Sequence, residues 1–160
     1  MVNDPGALVF NGLNTRDVEG ARSFYGSVFG WRAGSIGGGA EGWTLPGYGD
    51  WFERNHHPHL REQMAKAAAP AGFEDVVASI IPIADDQPDT PPHWSVTFAV
   101  YDTDATAKKA TELGAQVMVP PFDAPWSTSG YTIRITVIRD PQGATFSASK
   151  FVPMNRDLGS

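Results

Sequence analysis

The order of residues predicts an α+β fold. Two copies of one βαβββ unit form a curved mixed sheet around a central cavity, with helices on the outside and one extra helix inserted in the first copy. Three observations carry this expectation. A short apolar run followed by a capping cluster, a helical stripe and a stopping glycine occurs early in the chain and again past its middle. Segments with period-2 alternation follow the second stripe, separated by turn residues. Between the two copies lies a stretch too rich in proline and acid to join a central strand.

In the first copy, residues 7–13 read as a strand, and Asn14-Thr15-Arg16-Asp17 offer side chains that cap a helix. Val18, Ala21, Tyr25, Val28 and Phe29 then recur at helical spacing, and Gly30 suits the position just past a helix end. Residues 34–42 hold five glycines and read as the turn region of a hairpin that leads into Trp43-Thr44-Leu45. Gly37, Gly38 and Gly39 follow no strand-to-helix pattern, so a phosphate loop is not expected. Residues 50–72 read as an inserted helix. Pro58 would sit in its first turn, Leu60, Met64, Ala67 and Ala68 would form one face, and Glu62 with Lys66 an i,i+4 pair. Residues 76–83 are β-branched and apolar enough for a buried strand.

Residues 84–92 contain Pro88, Pro91 and Pro92 among acids and read as an exposed linker. The second copy then begins with a strand over 93–100, a cap at Asp102-Thr103-Asp104, a helix face of Ala107, Ala110 and Leu113, and a stop at Gly114. Strands are expected over 116–119, 131–138 and 144–151, the last two joined by the turn Asp140-Pro141-Gln142-Gly143. The organisation is one domain over 1–160: a first unit at 7–83, the linker at 84–92 and a second unit at 93–152.

Composition excludes several classes of function. A net charge of −6, with 12 Lys and Arg scattered along the chain, disfavours nucleic acid as a partner. No apolar stretch is long enough to span a bilayer, and the N-terminus has no leader pattern, so a cytoplasmic protein is expected. The absence of cysteine removes thiolate chemistry, and any metal would need His and carboxylate ligands.

Two βαβββ units in one chain, with Asp17, Ser23-Phe24-Tyr25 and Phe29-Gly30-Trp31 in the first and Asp102, Leu113-Gly114 and Asp140-Pro141-Gln142-Gly143 in the second, resemble the vicinal oxygen chelate superfamily. That superfamily includes glyoxalase, bleomycin-resistance and extradiol dioxygenase-like proteins. The resemblance implies a homodimer and a concave sheet whose metal ligands come from the first and last strands of each unit. Those positions fall on Phe10 and on Ala78 or Ser79 in the first unit, and on Ser95 and Ser147 in the second. None is an imidazole or carboxylate, so no cofactor and no metal are expected.

Alternation sorts the strand residues into faces. If the apolar side packs on the helices, then Thr132, Arg134 and Thr136 face the cavity, together with His93, Ser95 and Thr97 and with Thr145, Ser147 and Ser149. Trp43, Tyr48, Trp51, Phe122, Trp126 and Tyr131 cluster near expected loops and suit a flat conjugated ligand. His56, His57 and His59 beside Glu53 form the one alternative metal constellation. The leading functional expectation is a bleomycin-resistance-type protein that binds a small molecule, an aromatic natural product or antibiotic, without a metal. The alternative is a lyase, isomerase or dioxygenase of the same superfamily. In its cofactor-free form His93 is the general base and Arg134 holds an anionic or carbonyl group; in its metal-dependent form the histidine triplet supplies ligands.

Overall fold

The computed structural model describes residues 5–37, 39–66, 69–124 and 131–153. The fold is α+β and divides into two compact units: Gly12–Trp94, and the described parts of Met1–Asn11 with Ser95–Ser160. Each is built on the βαβββ order expected.

In the Gly12–Trp94 unit, the last four residues of strand β1 (Leu8–Thr15) lead into helix α1 (Val18–Phe29). The Asp17 carboxylate caps α1 by accepting from the Gly20 N–H at 2.8 Å, and Gly30, at φ 69°, ends it in the left-handed conformation that glycine adopts without a Cβ penalty. Strands β2 (Arg32–Gly37), β3 (Ala40–Thr44) and β4 (Val76–Pro82) complete the sheet in the order β2-β3-β4-β1, with β4 and β1 parallel and the other pairs antiparallel. The glycine-rich region expected as a turn is mostly strand. Gly34 pairs with Gly42, and Gly42 with Ser79, because a bare backbone lets Ile36 and the neighbouring strand approach there. Leu13, Ala21, Trp43, Ala78 and Ile80 form the core of this unit, with Val18, Tyr25 and Trp31 packed against it.

The insert differs from the single helix expected. It is two helices, α2 (Tyr48–Asn55) and α3 (Leu60–Lys66), followed by a 3-10 turn at Phe73–Asp75. Pro58 lies between them: it disfavours helical backbone at His57 and donates no hydrogen bond of its own, and His59 turns the chain at φ 72°. Ala67 and Ala68 lie outside the described residues. The N-cap of α2 is Gly47, which has no side chain to offer. Asp75 supplies the carboxylate instead, accepting from the Gly49 N–H at 2.8 Å and the Gly47 N–H at 3.3 Å. Arg61 then ties α3 to α2 through Asp50 and Glu53 and to the 3-10 turn through Glu74.

In the other unit, strand β5 (His93–Ala99) precedes helix α4 (Thr103–Glu112), capped by Asp102, whose carboxylate accepts from the Ala105 N–H at 2.8 Å. Strands β6 (Gln116–Ala124), β7 (Tyr131–Arg139) and β8 (Thr145–Pro153) follow, in the sheet order β5-β8-β7-β6. Strand β6 runs past the end expected at Val119. Pro120 and Pro121 interrupt its ladder, which an edge strand tolerates, and the register with β7 shifts on either side of Val119. The turn from Asp140 to Gly143 forms as expected: the Asp140 carboxylate accepts from the N–H groups of Gln142 at 3.0 Å and Ala144 at 2.8 Å. Thr103, Ala107, Thr136, Ile138 and Ala148 are buried in this unit.

Candidate functional site

The register of β5, β8, β7 and β6 decides which side chains share a face. Thr97 pairs with Ser147, Ser147 with Val137, and Val137 with Val119. The next row is Ala99, Ser149, Ile135 and Phe122. Since directly paired residues point the same way, these two rows form one face. The opposite face carries Thr132, Arg134, Thr136 and Ile138 of β7, with Phe146 and Ala148 of β8 and Phe98 of β5 paired beside them.

Helix α4 covers that opposite face. The guanidinium of Arg134 meets the Asp104 carboxylate of α4 through two hydrogen bonds and Asp123 of β6 at 3.0 Å. Thr103 of α4 donates its hydroxyl to the Arg134 carbonyl at 3.1 Å. The expected cavity-facing role of Arg134, Thr132 and Thr136 is therefore corrected. Thr132 donates to the Ala124 carbonyl at 2.8 Å, and Thr136, fully buried, donates to the Val119 carbonyl at 2.7 Å where the prolines break the ladder. The hydrogen bonds to Asp104 and then Asp123 raise the Arg134 pKa, and the same bond to Arg134 lowers that of Asp104. Arg134 is a charged structural pin with its donors committed to carboxylates.

The face turned away from α4 is graded. Thr97, Ser147 and Ser149 give it a hydroxyl edge along β5 and β8, while Ile135, Val137, Val119 and Phe122 give it a hydrocarbon edge along β7 and β6. Ser147 and Ser149 are each only 7% exposed. Phe122 and Val119 are 46% and 38% exposed. Polar groups recessed between exposed apolar walls are what a small-molecule site presents.

The other expected site residues are distributed as follows. Ser95 and Phe10 are both half-buried in the same unit as this face. Trp43 is not at a cavity mouth: it is fully buried on the α1 side of its sheet, paired with Ala33 and Ala78 and packed against Tyr25 and Trp31. Tyr48 and Trp51 stack on each other in α2 at 6.2 Å, and Trp51 also lies against His56 at 4.8 Å. His93 is half-buried and its Nδ1 lies 2.8 Å from the Pro91 carbonyl oxygen. A carbonyl only accepts, so Nδ1 carries the proton of the neutral ring and Nε2 keeps the lone pair. Trp126 and the side chain of Tyr131 lie outside the described residues.

Residues at the positions where a divalent ion would bind do not fit one. Ser79 of β4 opposes Gly12 of β1, and Ser147 of β8 opposes Thr97 of β5, so those strands present hydroxyls and a bare backbone where imidazole or carboxylate is needed. The histidine triplet does not converge either. His56 lies against Trp51, His57 stacks on Phe52, and His59 meets Glu62 at 3.5 Å. Among the described residues no three His, Cys, Asp or Glu side chains gather closely enough to hold a metal. The missing signal for the apolar half of the site, Val119, Ile135 and Val137, was the β7–β8 pairing, which alternation within one strand does not contain.

A family model described as the Glyoxalase/Bleomycin resistance protein/Dioxygenase superfamily matches residues 7–147. CFP32 of Mycobacterium tuberculosis, named as a candidate glyoxylase, is 34% identical over 153 residues, which cover 96% of this chain and 47% of that protein. The anthracycline biosynthesis protein DnrV of Streptomyces peucetius is 33% identical, over 73% of this chain and 46% of its own length. The chain thus spans about half the length of these relatives. Among solved structures, a superfamily member from Vibrio splendidus 12B01 aligns with a TM-score of 0.48 at 12% identity, covering 88% of this chain and 95% of that one. On the match of the family model over most of its length, the chain belongs to the Glyoxalase/Bleomycin resistance protein/Dioxygenase superfamily.

Proposed function

We propose that this protein binds an aromatic natural product or antibiotic, in the manner of a bleomycin-resistance protein and without a metal, on the strand face that carries Thr97, Ser147, Ser149, Val137 and Phe122. The observation that carries the reading is one face on which the recessed Ser147 and Ser149 stand beside the exposed apolar side chains of Val119 and Phe122. The unsuitable donor set supports metal-free binding, and a relative named for anthracycline biosynthesis supports an aromatic ligand. A homodimer and a cytoplasmic location belong to the same proposal. Among the described residues no helix is long and apolar enough to cross a membrane.

The test is a thermal-shift screen of aromatic natural products on protein whose metal content has been measured, followed by recovery of the ligand. Stabilisation by a compound recovered unchanged, with sub-stoichiometric metal, is the expected result. Conversion of every bound compound, or stoichiometric Zn, Mn, Fe or Ni, would overturn it.

One observation favours a second reading, a cofactor-free enzyme. The bond to the Pro91 carbonyl leaves Nε2 of His93 as the basic nitrogen, which suits a general base. In that case His93→Ala abolishes turnover of an identified substrate, and unchanged turnover removes the mechanism. Arg134 has no part in it, since its guanidinium is held by Asp104 and Asp123.

A further inference from the structure

Resting on the proposed binding face, we infer that its ligand is a monoanion: a flat hydrocarbon body lies along Val137, Val119, Ile135 and Phe122 and ends in one carboxylate at Arg139. The argument begins with the row of residues at the end of the face. Arg139 of β7 pairs with Gln116 of β6 and with Thr145 of β8. These three side chains therefore share the side of the sheet that carries Val137 and Ser147, each two residues further along its strand. All three are exposed.

Arg139 is set apart by its lack of a counter-charge. Arg22, Arg61 and Arg134 each meet two or more carboxylates. The Arg139 side chain makes no ion pair or hydrogen bond among the described residues. Its neighbour Asp140 turns its carboxylate onto the N–H groups of Gln142 and Ala144, and Asp123 of β6 stands with Arg134 on the other face. The rows from Arg139 to Phe122 thus hold a cation and no acid, in a chain whose net charge is −6. An acidic protein repels anions in general, so a face clear of acid with an uncommitted guanidinium is where an anion is favoured. The planar fork of arginine matches a carboxylate through two parallel hydrogen bonds. One cation balances one charge, which suits a single carboxylate better than a doubly ionised phosphate.

Strand spacing sets the body of the ligand. At a rise of about 3.4 Å per residue, Val137 stands about 7 Å and Ile135 about 14 Å along β7 from Arg139. Val119 and Phe122 lie beside them on β6 and are 38% and 46% exposed. Hydrocarbon is offered over that interval, which three fused rings fill. Covering it supplies affinity, while Arg139 fixes which end of the molecule lies at Gln116 and Thr145.

The experiment measures, by ligand fluorescence, the dissociation constants of anthracene-2-carboxylate and of its neutral isostere anthracene-2-carboxamide. The chains compared are wild type, Arg139→Gln, Arg139→Lys and Lys150→Gln. Lys150 pairs with Arg134 on the opposite face, so its variant removes the same charge from the other side of the sheet. The wild-type chain should bind the carboxylate roughly fivefold or more tighter than the amide at low salt, and the preference should shrink as ionic strength rises. Arg139→Gln should abolish the preference while holding the amide within about twofold of wild type, which shows the fold intact. Arg139→Lys, with the charge but not the fork, should keep part of the preference, and Lys150→Gln all of it. If the amide binds wild type as tightly as the carboxylate, if Arg139→Gln keeps the preference, or if Lys150→Gln removes it equally, the inference fails while the aromatic-binding face stands. If neither compound nor any member of the aromatic screen binds, the binding face itself is wrong and the inference falls with it.

Discussion

Gly42 and Gly12 both sit where strands meet without side chains, but they differ in what an added methyl would strike. At Gly42 it would lie 2.3 Å from the backbone oxygen of Ala78 and 2.9 Å from Ile36, so the sheet itself would have to move. At Gly12 the nearest atom, also at 2.3 Å, is the Ser79 hydroxyl, which a rotamer change removes. Gly42→Ala should therefore destabilise by about 1–3 kcal/mol, and Gly12→Ala by clearly less, as read from urea melts of the two variants. Trp43 gives a second residue-scale test. It is fully buried and its indole N–H has no partner among the described residues, so Trp43→Phe removes an unsatisfied donor along with some volume. Its cost should fall well below the roughly 3–5 kcal/mol of Trp43→Ala, with ligand affinity unchanged in Trp43→Phe.

At the scale of elements, pairs that cross between segments outweigh local propensity. The α2–α3 insert is held by Asp75 at the start of α2 and by Arg61 among Asp50, Glu53 and Glu74. Arg61→Met should speed hydrogen exchange over residues 48–66 while β7 and β8 keep their protection. Acid should act through the same kind of bond. Hydrogen bonds from the Arg61 backbone and side chain lower the Glu53 pKa, and a bond from Arg134 lowers that of Asp104. The unfolded chain thus binds more protons as these groups titrate, so their stabilisation is complete only above the ordinary carboxylate range, from about pH 6, and is lost as pH falls through that range and then through the depressed folded values. In Arg134→Gln the Asp104 share of that acid-induced loss should disappear from a denaturation series between pH 2 and 6. Helices, caps and stops were legible because Asp17, Gly30, Asp102 and Gly114 act within a few residues of the elements they bound. The facing of β7 was not legible from alternation alone, although the turn held the clue. With Arg139 paired to Thr145, Thr136 must oppose Ala148 and Val137 must oppose Ser147. The polar side of β7 is buried because Asp104, Asp123 and the carbonyls of Val119 and Ala124 satisfy it, a reversal that no apolar-inside rule anticipates.

Across the whole molecule, the two βαβββ units and their order were readable because each repeats the sequence of strand, cap, helix and stop. The proposed face was only half readable: alternation placed Thr97 with Ser147, which pair, while their apolar neighbours came from pairing over longer separations. A metal-free reading makes a global prediction, that exhaustive chelation leaves both melting temperature and ligand affinity unchanged; a fall in either would return metal chemistry to the site. The stretch expected as a free linker has an anchor of its own. The Arg16 guanidinium donates to the carbonyls of Ala84, Gln87 and Thr90, fastening three points of the 84–92 segment to the residue just before the α1 cap. Proteases bind their substrates as extended chain, and a backbone whose carbonyls are already engaged cannot be drawn out into a cleft without first releasing them. An exposed, acidic, proline-containing segment that looks like an invitation to cutting should therefore resist it, and Arg16→Ala should turn that same stretch into the first place a glutamyl- and aspartyl-specific endopeptidase nicks the native chain.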